Sequence, residues 1–169
     1  CITSQKNYNY GEELILKMTE SIKNIKTLKY TLKNTERVEG NLLSGIQEIK
    51  YQSFPLKCFI YMVKPNNGAE LLFVEGKNNN NVIYNPNGFP YIRINLDPMG
   101  SLMRKNNHHT IYDTGFNKID RVISNGFHEK DYSVTYNGIV KWNNKKCRRI
   151  SLSNPSFKSY HILLKKMKR

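Results

Sequence analysis

From Thr27 the period of the chain changes to two, in short strand-like runs separated by turn residues as far as Tyr84, and this pattern constrains the fold more than any other feature of the chain. Leu28, Tyr30 and Leu32 alternate with Lys29, Thr31 and Lys33, the pattern of a strand with one wet face. Glu39-Gly40-Asn41 predicts a turn, and Leu42–Tyr51 returns as the partner strand. Leu56–Val63 is apolar on both faces, with Leu56, Cys58, Ile60 and Met62 against Phe59, Tyr61 and Val63, so it belongs in the middle of a sheet. Pro65-Asn66-Asn67-Gly68 turns the chain into Ala69–Glu75, and Gly76–Asn81 turns it again into Val82–Tyr84. Short strands joined by Gly/Asn turns predict an antiparallel meander.

Ahead of this sheet, Glu12–Ile25 carries Leu14, Ile15, Met18, Ile22 and Ile25 at helical spacing. Glu12-Glu13 and Lys23 suit the two ends of the helix dipole, so one amphipathic helix is expected to pack on the sheet. Residues 1–11 read as a loose polar leader and 12–169 as a single domain. After the meander, Tyr91–Leu96 is a short strand with Ile92, Ile94 and Leu96 on one face. Asp97-Pro98 then reads as an N-cap followed by proline at the first helical position. It opens a plug helix, Pro98–Lys105, with Met99, Leu102 and Met103 as its apolar face.

Asp113 or Thr114 is expected to cap a further helix, with Phe116, Ile119, Val122 and Ile123 apolar and Gly126 at its end. Tyr132, Val134 and Tyr136 begin another strand. Asn137-Gly138 is the strongest hairpin signal in the chain, but it also fits a bulge in one long strand ending at Trp142, with Asn143-Asn144 as a competing turn. Lys146–Leu152 and Ser159–Leu164 complete the sheet. The fold class is α+β: a strongly curved antiparallel sheet with an N-terminal amphipathic helix and short plug helices.

The 169 residues suffice for one domain that buries about 70% of its unfolded surface. No apolar run approaches the roughly 20 residues that span a bilayer, which leaves a soluble or surface-attached chain. The net charge of +14 invites a nucleic-acid reading. However, Lys29 and Lys33 simply wet an outer strand face, and only Lys145-Lys146 with Arg148-Arg149, and Lys165-Lys166 with Lys168-Arg169, form clusters. An anionic membrane surface is a better match to the charge than a specific nucleic acid.

His108-His109 with Asp113 is the first candidate for chemistry. Adjacent histidines on a strand point to opposite faces, and no second cluster lies at metal-ligand spacing, so no metal or cofactor is expected and a structural role competes with a hydrolase using His108 or His109. Glu36, Glu48, Glu70 and Glu75 could supply a carboxylate pair, although on strands such residues are usually cross-strand surface pairs. No G-x-S-x-G elbow, P-loop or G-x-G-x-x-G occurs. What remains is shape. Leu28, Tyr30, Phe59, Tyr61, Phe73 and Tyr84, with Met99, Leu102 and Met103 of the plug, are the candidate lining of an acyl-binding cavity, and an ordinary closed core is the competing reading.

The run GAELLFVEGKNNNNVIYNPNGFPYIRINLDPMGSLMRKNNHHTI resembles an uncharacterised envelope-protein family of Gram-negative bacteria, with its distinctive block from Leu96-Asp97-Pro98-Met99-Gly100 to His108-His109. The resemblance extends from about Leu14 to Ile123, with a weaker echo at Trp142–Cys147. It implies a LolA/LolB-like half-open β-barrel of the lipoprotein-carrier type, export by a signal peptide, and residence in the periplasm or at the outer membrane. It also leaves open a continuation of the domain beyond Arg169. With export, Cys58 and Cys147 are either a disulfide or two core thiols. Cys1 is what lipoprotein signal cleavage leaves for acylation, or else a trimmed boundary. The expected function is a non-enzymatic carrier of a lipid, an acyl chain or a lipoprotein. Two alternatives stand beside it, the hydrolase and an accessory subunit docked on a larger outer-membrane assembly.

Overall fold

A computed structural model describes residues 9–105, 109–128 and 132–153. In chain order the first elements are helix α1 (Tyr10–Lys23) and strands β1 (Thr27–Val38), β2 (Asn41–Gln52), β3 (Lys57–Lys64) and β4 (Glu70–Val74). Strands β5 (Val82–Asn85) and β6 (Ile94–Leu96) follow, then helices α2 (Ser101–Arg104) and α3 (Asn117–His128), and finally strands β7 (Ser133–Trp142) and β8 (Lys145–Ser153). These elements divide into two compact units. One is Asn24–Lys118, and the other joins the chain up to Lys23 with the chain from Ile119. The strand expected at Ser159–Leu164 lies outside the described residues.

The unit of residues 24–118 is the expected meander: six strands in the order β1-β2-β3-β4-β5-β6, every neighbouring pair antiparallel and the sheet not closed. Glu39-Gly40 turns β1 into β2 with positive φ at both residues (49° and 84°), the twist a two-residue hairpin needs. One face of the sheet is dry. The register aligns Leu28, Tyr51, Cys58 and Phe73 in one row across the strands, and Tyr30, Ile49, Ile60, Leu71, Tyr84 and Ile94 in the next. Ile49, Tyr51, Cys58, Ile60, Phe73, Val82 and Ile111 form its buried core.

The segment that seals this face is not the one the sequence points to. Met103 packs on the core, but Met99 and Leu102 are exposed, and the helix spans only Ser101–Arg104 with Gly100 at its N-cap. Asp97 spends its carboxylate on a tighter turn, accepting the Met99 N–H at 2.8 Å while its carbonyl accepts the Gly100 N–H. The strand expected over Tyr91–Leu96 shrinks to Ile94–Leu96, because Tyr91 takes a positive φ of 58° that breaks the extended run. The seal comes instead from residues 110–116. Ile111 enters the core, the Tyr112 ring meets Phe73 edge-on at 5.5 Å, and Gly115 lies against the Tyr51 ring.

The other unit holds α1 and the β7–β8 ribbon. Ile15, Val134 and Leu152 form its buried centre, with Ile123, Tyr132 and Ile150 packed around it. The sheet packed against α1 within this unit is the two-stranded ribbon. The helix begins two residues before Glu12, at a capping box the alternation does not reveal: the Glu12 N–H donates to Asn9 Oδ1 at 3.0 Å and the Asn9 N–H to Glu12 Oε2 at 2.7 Å. Asn137-Gly138 is a bulge, marked by the register shift between Tyr136 and Ile139, and Asn143-Asn144 makes the turn. Asp113, a candidate cap for the second helix, instead accepts from the Thr110 N–H and hydroxyl across a 3₁₀ turn, and Gly126 lies buried inside α3 rather than at its end.

Candidate ligand-binding face

The register separates the nine candidate lining residues. Leu28, Tyr30, Phe73 and Tyr84 lie in the rows of the dry face, whereas Phe59 and Tyr61 point to the opposite face. Alternation along single strands could not show this, because it fixes parity within a strand and leaves the pairing between strands open. Met103 joins the dry face, and Met99 (52% exposed) and Leu102 (69%) do not.

The Gly115 N–H donates to the Tyr30 hydroxyl at 3.0 Å, and the Thr114 hydroxyl hydrogen-bonds the Cys58 sulfur. Burial pushes the Cys58 thiol up to about 11, with Thr114 pulling the other way, and burial likewise raises the Tyr30 phenol. Cys58 and Cys147 are both free thiols in the structure, Cys58 buried and Cys147 half-buried. A buried thiol held protonated is an inert packing group rather than a nucleophile.

On the outer face the rows read differently. Lys29, Lys50, Phe59, Leu72 and Ile83 follow one another across the strands, ending at Asn95. Beside them run Thr31, Glu48, Tyr61, Glu70 and Asn85. A hollow of about 310 Å³ opens between the rows, lined by Lys29, Glu48, Ile49, Lys50, Phe59, Tyr61 and Glu70. Phe59 and Tyr61 are half-buried, Leu72 is 40% exposed, and the Lys50 ammonium stands over the Phe59 ring at 5.6 Å from its centroid. Glu48 and Glu70 flank Tyr61 from either side, so of the four candidate carboxylates these two share the site. Glu36 is buried and accepts from Asn34 Nδ2, and Glu75 caps the Leu56 N–H. The result is an apolar strip, Phe59-Leu72-Ile83, with cations at one end and carboxylates along one side.

Of the two histidine candidates, only His109 can be placed, and it does not join this face. His108 lies outside the described residues, as does Cys1. His109 is exposed, with its Nδ1 against the Lys118 ammonium, while Asp113 is engaged by Thr110. Among the described residues no group of three or more His, Cys, Asp or Glu could hold a metal ion, and no helix is long and apolar enough to cross a membrane.

An open antiparallel sheet, one face sealed into a core and the other carrying a charged-rimmed apolar strip, together with its helices defines an α+β protein. Residues 25–164 match the family described as "Protein of unknown function (DUF1571)", and the chain belongs to that family. No curated protein and no solved structure matches the chain.

Proposed function

We propose that this protein is a non-enzymatic, exported cell-envelope module that takes an acyl-bearing ligand, a lipid or the acyl chain of a lipoprotein, on the outer face of its six-stranded sheet. The observation that carries the reading is the strip Phe59-Leu72-Ile83 with Lys29 and Lys50 at its head. Neighbouring strands lie about 4.8 Å apart, so Lys50 to Ile83 spans roughly 14 Å, close to an extended chain of about a dozen carbons. Covering about 150–200 Å² of apolar surface would contribute roughly 4–5 kcal/mol before the costs of association, which implies modest affinity from the tail alone. Lys29 and Lys50 beside Glu48 and Glu70 offer both signs of charge to a zwitterionic head group. A LolA/LolB-like curvature would deepen the hollow, and the resemblance at Leu96–His109 is what supports it together with a periplasmic or outer-membrane setting.

The experiment is titration of a fluorescent fatty acid, with lysophosphatidylethanolamine as competitor, against the native chain and Phe59→Ser/Tyr61→Ser. Both side chains are half-buried on the outer face, so the double variant should fold by circular dichroism and bind at least tenfold more weakly, on the order of the apolar area lost. Undiminished probe binding by the folded variant would remove this face as the site. The reading as an accessory subunit rests on a different surface, the loop where Phe89 (91% exposed), Tyr91 (73%) and Ile92 (58%) stand out together.

A further inference from the structure

We propose that the distal end of the β7–β8 ribbon is a docking finger for an anionic lipid bilayer. The ribbon from Ser133 to Ser153 contains Lys141, Lys145, Lys146, Arg148 and Arg149 and no aspartate or glutamate. All five cations are exposed. Its proximal half is committed to packing: Val134, Leu152 and Ile150 belong to the cluster around Ile15 of α1, and Tyr136 meets Tyr10 edge-on at 4.9 Å. The bulge at Asn137-Gly138 ends that half.

Beyond the bulge the apolar residues continue, Val140 half-buried but two others largely uncovered. Ile139 is 66% exposed and Trp142 is 53% exposed. The register pairs Ile139 with Arg148 and Lys141 with Lys146, and on the other face Val140 with Cys147 and Trp142 with Lys145. Both faces of the tip thus mix apolar groups with ammonium and guanidinium groups, and the tight Asn143-Asn144 turn leaves no long loop over the end. Tryptophan is preferred at the head-group boundary, and lysine can bury its stem there while keeping its charge in water. The open edges of a two-stranded ribbon forbid insertion into the hydrocarbon, which sets the depth at the head groups. A basic finger could also meet nucleic acid, for which the Trp142 ring is a stacking surface, but Ile139 and Val140 beside it suit a lipid interface rather than a base.

This inference does not rest on the acyl-binding face. The test uses the full chain, in which Trp142 is the single tryptophan and reports on the tip alone. Vesicles of phosphatidylcholine with phosphatidylglycerol should co-sediment the protein and shift Trp142 emission to the blue, and vesicles of phosphatidylcholine alone should do neither. Lys145→Gln/Lys146→Gln should weaken partitioning about 30-fold, the loss expected when two cations leave an anionic surface. Ile139→Ser, which keeps both the charge and the fluorophore, should reduce the blue shift while its circular dichroism stays native. Unshifted emission with anionic vesicles would overturn the proposal, as would equal binding to neutral ones. So would an oligonucleotide that quenches Trp142 and displaces the protein from vesicles.

Discussion

At the residue scale, Cys58 and Gly115 show how tightly the dry face is closed. The Cys58 thiol ionises near its ordinary value of 9.0 in an unfolded chain and near about 11 when folded. The folded state therefore holds the proton through that interval, and stability present below pH 9.0 is lost as pH rises toward 11. A rise of this size corresponds to about 2–3 kcal/mol, and Tyr30, also raised, adds a loss of the same sign above its ordinary value of 10.0. Urea denaturation at a series of alkaline pH values should show this slope, and Cys58→Ala should flatten it. Gly115 has φ of +79° and sits where an added Cβ would lie 3.1 Å from the Tyr51 ring. Gly115→Ala should cost about 2–4 kcal/mol, from left-handed strain plus overpacking, read as a lowered urea midpoint with an unchanged m-value. Neither residue stands out in the sequence. The signal that could have found the seal is local, a Thr110-x-x-Asp113 box followed by glycine, and it was hidden because Asp113 also suits the cap of the next helix.

At the scale of elements, what the sequence reveals follows from the range of the forces involved. The meander was legible from Thr27 to Tyr84 because alternation and turn residues are local, and the structure keeps its order and antiparallel pairing throughout. The lining was not, since Phe59 and Leu28 look equivalent until the β2 register places them on opposite faces. Helix α1 was legible by its spacing, and Ile15 of the expected face Leu14, Ile15, Met18, Ile22 and Ile25 is buried, but the rest of its buried stripe is Gly11 and Thr19. Small residues enter the stripe because the ribbon approaches closely: a Cβ on Gly11 would lie 2.9 Å from Val134 Cγ1. Ile15→Ala should then destabilise the protein by about 2–4 kcal/mol. Leu16→Ala, at a position 39% exposed on the same helix, should cost under about 1 kcal/mol. Thermal denaturation of the two variants separates a packed stripe from helix propensity, because leucine-to-alanine leaves propensity nearly unchanged.

At the scale of the whole molecule, the two compact units are joined without linker chemistry at either boundary. Lys23-Asn24 joins a helix to a strand within four residues, and Lys118-Ile119 falls inside α3, so no proline, glycine or serine run marks either. The net charge of +14, by contrast, was plain in the composition and acts on the molecule as a whole. Like charges at this density repel one another in the compact state more than in the expanded chain, which lowers stability at low ionic strength. Salt shortens the reach of that repulsion from about 30 Å at 0.01 M to about 8 Å at 0.15 M. We predict that the melting temperature rises over this interval by about 2–4 °C, equivalent to roughly 1 kcal/mol for a chain of this size. Sodium chloride and sodium fluoride at equal ionic strength should act alike if screening is the cause. The same salt should weaken association with anionic vesicles, because screening removes the attraction that draws the β7–β8 cations to the surface. A melting temperature that instead falls with salt would mean that specific ion pairs outweigh the net repulsion, and that the charge of this protein is organised for its own fold rather than for an anionic partner.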